Sequence, residues 1–122
     1  RCEHRGGRAP RAAPPLRRLY VGAFGEGLAA DFLRRRGARV LARNVRVGAD
    51  EIDLLVAWGR LLVAVEVKTL LGRDPAEEFT PAKAERFRRA GRGLRPMPGR
   101  FDLVTVCVRR DGGGLRWLPG VC

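Results

Sequence analysis

Two strand-like runs, residues 51–58 and 61–69, are separated only by the dipeptide Gly59-Arg60. A two-residue gap that contains Gly is typical of a β-hairpin, and it sets the register by pairing Trp58 with Leu61. One face of the hairpin is then entirely apolar, with Ile52, Leu54, Val56 and Trp58 opposite Val67, Val65, Val63 and Leu61. Because a shift by one residue would turn that set to the other face, the sequence predicts this register and a buried face.

The opposite face of the predicted hairpin brings charged residues together. In the same register Asp53 lies opposite Glu66, and Glu51 lies opposite Lys68. Directly opposed residues have Cβ atoms roughly 4.5–5.5 Å apart, a distance at which like charges destabilise a sheet. Two converging carboxylates are expected where a divalent cation is shared, and Mg²⁺ prefers such oxygen ligands. Two alternatives stay open: an ordinary Glu51–Lys68 ion pair, and solvation of both carboxylates on an open sheet face.

Two predicted helices carry further candidate site residues. Helical periodicity over 19–36 gives an apolar side made of Phe24, Leu28, Phe32 and Leu33. Glu26 lies at the edge of that side, where it either points toward the hairpin or interacts with the helix dipole. Lys83, on a second helix, shares a stripe with Phe87, Ala90 and Leu94. It either faces the sheet or extends its ammonium group to water.

The order of elements predicts an α/β fold. Turn, cap and alternation signals predict strands at 39–47, 51–58, 61–69 and 101–109, a short edge strand at 115–118, and helices at 19–36 and 81–94. Thr80 followed by Pro81 is a typical start for the second helix. The order α-β-β-β-α-β indicates a mixed central sheet flanked by helices. A length of 122 residues fits one domain over 19–122, preceded by a flexible basic arm at 1–18 that is rich in Arg, Gly, Ala and Pro.

The net charge of +12 is concentrated in two segments. Residues 1–18 hold six basic and one acidic residue, and residues 83–100 hold seven and one. This distribution favours nucleic acid as a partner, with a solvated basic face as the alternative. The predicted phosphate contacts on the second helix are Lys83, Arg86, Arg89 and Arg92.

Composition also excludes several classes of protein. The single histidine, His4, lies in the arm, so triads and zinc sites based on histidine are excluded. The three cysteines follow no disulfide or zinc spacing and indicate a reducing cytoplasm. No apolar stretch approaches the roughly 18 residues of a membrane span, and the N-terminus lacks a secretory signal. We therefore expect a cytoplasmic protein without a membrane partner.

Several motifs occur together in order along the chain. They are Gly25-Glu26 followed by Ala29, Ala30 and Leu33, then Arg43-Asn44, Glu51-Ile52-Asp53-Leu54-Leu55, Val65-Glu66-Val67-Lys68 and Arg100-Phe101-Asp102. Over about residues 20–108 the pattern resembles the YraN family of small bacterial proteins. That resemblance implies a restriction-endonuclease-like core of the PD-(D/E)XK type, similar to Holliday-junction resolvases.

The resemblance also implies the roles of four residues. Glu26, Asp53 and Glu66 would be the ligands of Mg²⁺ or Mn²⁺, and Lys68 would assist the attacking water. The expected function is a metal-dependent endonuclease, with DNA favoured over RNA and branched or structured DNA among the candidate substrates. The alternatives are a non-catalytic nucleic-acid-binding protein of the same fold and a basic structural partner of a ribonucleoprotein. A homodimer is left open.

Overall fold

The predicted order of elements is confirmed, with the edge strand included. A computed structural model describes the backbone of residues 13–72 and 78–122, and the side chains from residue 21 onward within those ranges. Its elements are α1 (Ala13–Arg35), β1 (Arg39–Val47), β2 (Asp50–Trp58), β3 (Leu61–Leu71), α2 (Pro81–Arg92), β4 (Arg100–Arg109) and β5 (Gly112–Leu118). No helix in these described ranges is long and apolar enough to cross a membrane.

The strands form one mixed five-stranded sheet in the order β1-β2-β3-β4-β5. Neighbouring strands are antiparallel except β3 and β4, which run parallel. Parallel neighbours need a crossover connection, and α2 lies in the segment that joins them. The hairpin and the crossover together place the carboxyl-terminal half of β3 in the middle of the sheet.

Each helix packs on one face of the sheet. Ala29, Ala30 and Leu33 of α1 are buried against a layer of aliphatic side chains from the three central strands. Phe87 and Ala90 of α2 are buried in a second cluster on the other face. The sheet is therefore covered on both sides, as a strand order with a parallel pair requires.

Helix α1 differs from its prediction in two respects. It begins at Ala13 rather than residue 19, so it takes in residues 13–18 of the predicted arm, while residues 1–12 lie outside the described part of the chain. Its predicted apolar side is also partly wrong, because Phe24 is 55% exposed and Leu28 is 38% exposed. Small residues lie against the sheet instead, and Gly25 is the clearest case. A Cβ at Gly25 would lie 1.8 Å from Thr69 Oγ1, so only glycine allows this close approach.

Helix α2 begins as predicted. Thr80 precedes the first turn, and its hydroxyl accepts a hydrogen bond from the backbone N–H of Lys83 at 3.3 Å. Pro81 occupies the first helical position, where no hydrogen bond is lost. This start holds Lys83 within the first turn of the helix. The helix ends at Arg92, two residues before the predicted end.

Asp102 joins β4 to the chain beyond β5. Its buried carboxylate accepts hydrogen bonds from Arg100 Nε and Nη2, both at 2.8 Å. It also accepts from Trp117 Nε1 and from the backbone N–H of Gly120, both at 3.0 Å. Because a buried carboxylate is stable only when its oxygens are satisfied, this network makes the Arg100-Phe101-Asp102 motif structural.

Candidate metal centre

The candidate site lies where β2 and β3 separate. The predicted register is confirmed from Trp58↔Leu61 to Leu54↔Val65, and the ladder stops there. The predicted ladder pair of Asp53 with Glu66 is therefore wrong. Instead, Asp53 Oδ2 accepts a hydrogen bond from the backbone N–H of Val67 at 2.8 Å. A carboxylate thus satisfies a backbone donor at the point where the partner strand moves away.

The separation coincides with an irregularity in β1. Asn44 has a φ of 53°, and it is the one residue other than glycine with a positive φ in the described chain. The β1–β2 ladder pairs Arg43 with Leu54 and Val45 with Ile52. Ile52 packs in the α2 cluster, whereas Leu54 packs in the α1 cluster. The prediction of one continuous apolar face is thus wrong at Ile52, because the strand turns over beside Asp53.

The carboxyl groups of Asp53 and Glu66 nevertheless lie close enough to affect each other's ionisation. When Asp53 is protonated, its carboxyl group donates a hydrogen bond to the Glu66 carboxylate. Burial, reinforced by the charge of Glu66, raises the pKa of Asp53 to about 8, against the opposing effects of the Val67 N–H and Lys68. Burial also raises the pKa of Glu66, although Lys68 and Lys83 favour its charged form. Keeping both carboxyl groups ionised therefore costs free energy, and a nearby cation would offset that cost.

Both lysines of the chain act on Glu66. Lys68 Nζ lies 3.4 Å from Glu66 Oε2, and both side chains are largely buried. The alternative of a Glu51–Lys68 ion pair is therefore wrong, because Lys68 pairs with Glu66 on its own strand and the β2–β3 ladder ends before Glu51. The positive charge of Lys83 also favours ionised Glu66. Lys83 is half-buried in the first turn of α2.

Asn44 holds Glu26 near the Asp53–Glu66 pair, although the sequence did not predict Asn44 as a site residue. The Asn44 side-chain amide is assigned with its nitrogen, rather than its oxygen, toward two carboxylates, because only this orientation pairs donors with acceptors. In this orientation the nitrogen donates to Glu51 Oε2 at 2.8 Å and to Glu26 Oε1 at 3.2 Å. Burial raises the pKa of Glu26, Arg43 and Asn44 oppose this, and Glu51 and Glu66 add to it. Glu26 thus lies within electrostatic range of Asp53 and Glu66.

Glu51 completes this group of charges. Besides its bond from Asn44, it lies 3.8 Å from Arg46 Nη1. The signal that could have identified Asn44 is its position inside a strand, since Asn is depleted in strands and tolerates a positive φ.

The donor chemistry of the site fits a hard divalent cation. Asp53, Glu66 and Glu26 offer carboxylate oxygens, which Mg²⁺ and Mn²⁺ prefer, and the pair at the centre carries negative charge that burial disfavours. Across residues 13–72 and 78–122, no three acidic, histidine or cysteine side chains are already grouped as a metal-binding set. Glu26 lies within electrostatic range of the other two carboxyl groups, and Asn44 holds it there.

The arginines predicted to contact phosphates lie on the exposed side of α2. Arg86, Arg89 and Arg92 are all exposed. Arg89 makes two hydrogen bonds to the Asp50 carboxylate, at 3.1 and 3.3 Å, and Arg92 Nη1 lies 4.0 Å from Glu85 Oε2. Contact with nucleic acid stays a prediction for these arginines and for Lys83, whose charge also acts on Glu66.

Comparison with known proteins places the chain in a family. The model described as "Uncharacterised protein family UPF0102" matches residues 25–106, the part of the chain that includes α1 from Gly25 through most of β4. The chain belongs to the UPF0102 family. This is the YraN family, so the resemblance drawn from the motifs is confirmed.

Relatives of this UPF0102 chain come from several bacteria. A UPF0102 protein of Symbiobacterium thermophilum is 46% identical over 101 residues, covering 75% of this chain and 86% of the relative. Others are 44% identical in Mycolicibacterium vanbaalenii, covering 76% and 84%, and 37% identical in Syntrophotalea carbinolica, covering 84% and 91%. The matches thus cover 84–91% of the length of these relatives.

Proposed function

We propose that this UPF0102 protein is a metal-dependent endonuclease that hydrolyses phosphodiester bonds in DNA. The observation that carries the proposal is the coupled Asp53–Glu66 pair at the point where β2 and β3 separate, with Lys68 Nζ 3.4 Å from Glu66. Residues of raised pKa, grouped with a lysine on a rigid sheet, are typical of catalytic sites. The PD-(D/E)XK resemblance assigns the same residues independently.

Each residue has a distinct task in this proposal. Asp53, Glu66 and Glu26 would hold Mg²⁺ or Mn²⁺, which when bound polarises a phosphoryl oxygen as a Lewis acid. Lys68 would orient the attacking water and offset negative charge that develops on the phosphate. Lys83 would favour the ionised form of Glu66, which is the form that binds a cation.

The charge of the chain supports nucleic acid as the substrate. The net charge is +12, and Arg86, Arg89 and Arg92 lie exposed on the helix whose first turn carries Lys83. A phosphate backbone bound there would lie close to the carboxylates. We favour DNA over RNA, with branched or structured DNA as one candidate substrate, and cytoplasmic action.

A second candidate is a non-catalytic nucleic-acid-binding protein with a nuclease-like fold. Two observations favour it. In the described ranges no three potential metal ligands are already grouped, and Lys68 is paired with Glu66, a carboxylate that a metal would need. On this alternative the charged cluster would stabilise the fold, and the arginines alone would bind nucleic acid.

A cleavage assay separates the two candidates. Labelled linear, branched and single-stranded DNA, and matched RNA, are incubated with wild type in Mg²⁺, Mn²⁺ or EDTA. We expect cleavage that requires metal, and we expect Glu66→Gln and Lys68→Met to reduce its rate by about 10²–10³ while binding is kept. Lys68→Arg is expected to fail as well, because a planar guanidinium does not replace a compact ammonium group.

The matched control is Glu85→Gln, the same substitution at an exposed position on α2 whose partners are Arg88 and Arg92. This variant should retain cleavage. Two results together would favour the binding protein over the nuclease. They are wild type that cuts no substrate with either metal, and Glu66→Gln that binds nucleic acid as well as wild type does.

A further inference from the structure

Asn44 occupies an unfavourable backbone position that its side chain explains. Its φ of 53° is in the left-handed region, which non-glycine residues rarely adopt, although Asn tolerates it better than most. It lies between the ladder pairs Arg43↔Leu54 and Val45↔Ile52, directly beside Asp53. A residue held in such a conformation within a strand points to a task for its side chain.

The task indicated by the assigned orientation of the amide is to join two elements. The amide nitrogen of Asn44 donates one hydrogen bond to Glu26 on α1 and another to Glu51 on β2. The two carboxylates repel each other, and the amide offers both of its hydrogens without adding a positive charge. An arginine or lysine there would neutralise the cluster, whereas the amide leaves its negative charge available to a cation.

We infer that Asn44 is a positioning residue that holds the Glu26 carboxylate for a divalent cation bound by Asp53 and Glu66, and thereby sets the preference of the site for Mg²⁺ over Ca²⁺. The inference rests on the metal site of the proposed function. Mg²⁺ demands nearly ideal octahedral geometry, whereas Ca²⁺ accepts variable ligand numbers and distances. A loosely held third carboxylate therefore weakens Mg²⁺ binding more than Ca²⁺ binding.

The decisive variant is Asn44→Gly. Glycine adopts a φ of 53° without strain, so this variant should melt at the same temperature as wild type or higher. It loses both donated hydrogen bonds, and loss of a residue that orients a metal ligand typically costs about ten- to a hundredfold in affinity. We expect a fall of that size for Mg²⁺ and a clearly smaller one for Ca²⁺. Calorimetric titration of the full chain with each metal alone, without nucleic acid, measures both.

A double-mutant cycle tests whether Asn44 acts through Glu26. Glu26→Gln should weaken Mg²⁺ binding, and adding Asn44→Gly to it should cause little further loss, because the carboxylate that Asn44 positions is already absent. The matched control is Arg46→Gln, which removes the other partner of Glu51 from the same strand and leaves Glu26 untouched. It should bind both metals about as wild type does.

The outcomes distinguish this inference from the nuclease proposal. Asn44→Gly with an unchanged ratio of Mg²⁺ to Ca²⁺ affinity, or additive effects in the cycle, overturns the positioning role and leaves the nuclease proposal intact. Selective loss of Mg²⁺ binding in a protein that cuts nothing supports the positioning role and overturns the nuclease. Wild type that binds neither metal overturns both.

Discussion

Asp53 makes the stability of the metal-free protein depend on pH. Its pKa is about 8 in the folded protein, against an ordinary value of 3.8, because burial and Glu66 disfavour the charged form. The folded state therefore binds a proton more tightly than the unfolded state. The stability that this contributes is complete below about pH 3.8 and is lost as the pH rises through about 8.

Asp53→Asn tests this at the level of one residue. Asparagine keeps the shape without the charge, so the metal-free variant should melt higher than wild type at pH 8, and this advantage should shrink as the pH falls toward 4. The variant should also lose stabilisation by Mn²⁺, since a ligand stabilises only what it binds. Scanning calorimetry at several pH values measures both effects. Exposed Asp31→Asn is the control, and a lower melting point of Asp53→Asn at pH 8 contradicts the prediction.

At the scale of elements, the position of α1 depends on the absence of a side chain at Gly25. An added Cβ would lie 1.8 Å from Thr69 Oγ1 and 2.9 Å from Thr69 Cβ, so the helix or β3 must shift. Overpacking of this kind typically costs about 1–3 kcal/mol. Such a shift would also displace Glu26, the next residue along the helix, from the position in which Asn44 holds it.

Gly25→Ala should therefore lower both the free energy of unfolding and the affinity for Mg²⁺. Gly27→Ala on the same helix is the control, because nothing lies within 4 Å of its added Cβ. Alanine has the higher helix propensity, so this control should be more stable than wild type by up to about 1 kcal/mol. Urea unfolding compares the two variants. Equal effects of the two substitutions would show that the contact with Thr69 does not position the helix.

For the whole molecule, the net charge of +12 determines how it meets a polyanion. Binding to duplex DNA should weaken linearly on a log–log plot against salt concentration, because phosphate contacts release counterions. Arg86→Gln should reduce the magnitude of the slope by about 1 if the residue contacts a phosphate. Arg89→Gln should have a smaller effect, since Asp50 already holds that guanidinium group. Fluorescence anisotropy from low to moderate salt measures the slopes, and binding insensitive to salt refutes the electrostatic surface.

The sequence predicts well those features that depend on residues close together in the chain. The Gly59-Arg60 turn and the alternation beside it specify the hairpin register as far as Leu54↔Val65. Thr80 and Pro81 mark the start of α2 because a cap depends on neighbours a few residues away. Period two alone places Glu66 and Lys68 on the same side of β3.

Contacts between segments far apart in the chain determine how these helices and strands form the candidate metal site. The β2–β3 ladder pairs end at Leu54↔Val65, and beyond that point the carboxylate of Asp53 accepts a hydrogen bond from the backbone N–H of Val67. Glu26 of α1 reaches Asn44 of β1 because α1 packs closely on β3 through Gly25. These contacts join residues far apart in the chain, so no local pattern encodes them. The sequence supplied the charged residues, and packing between elements brought them together.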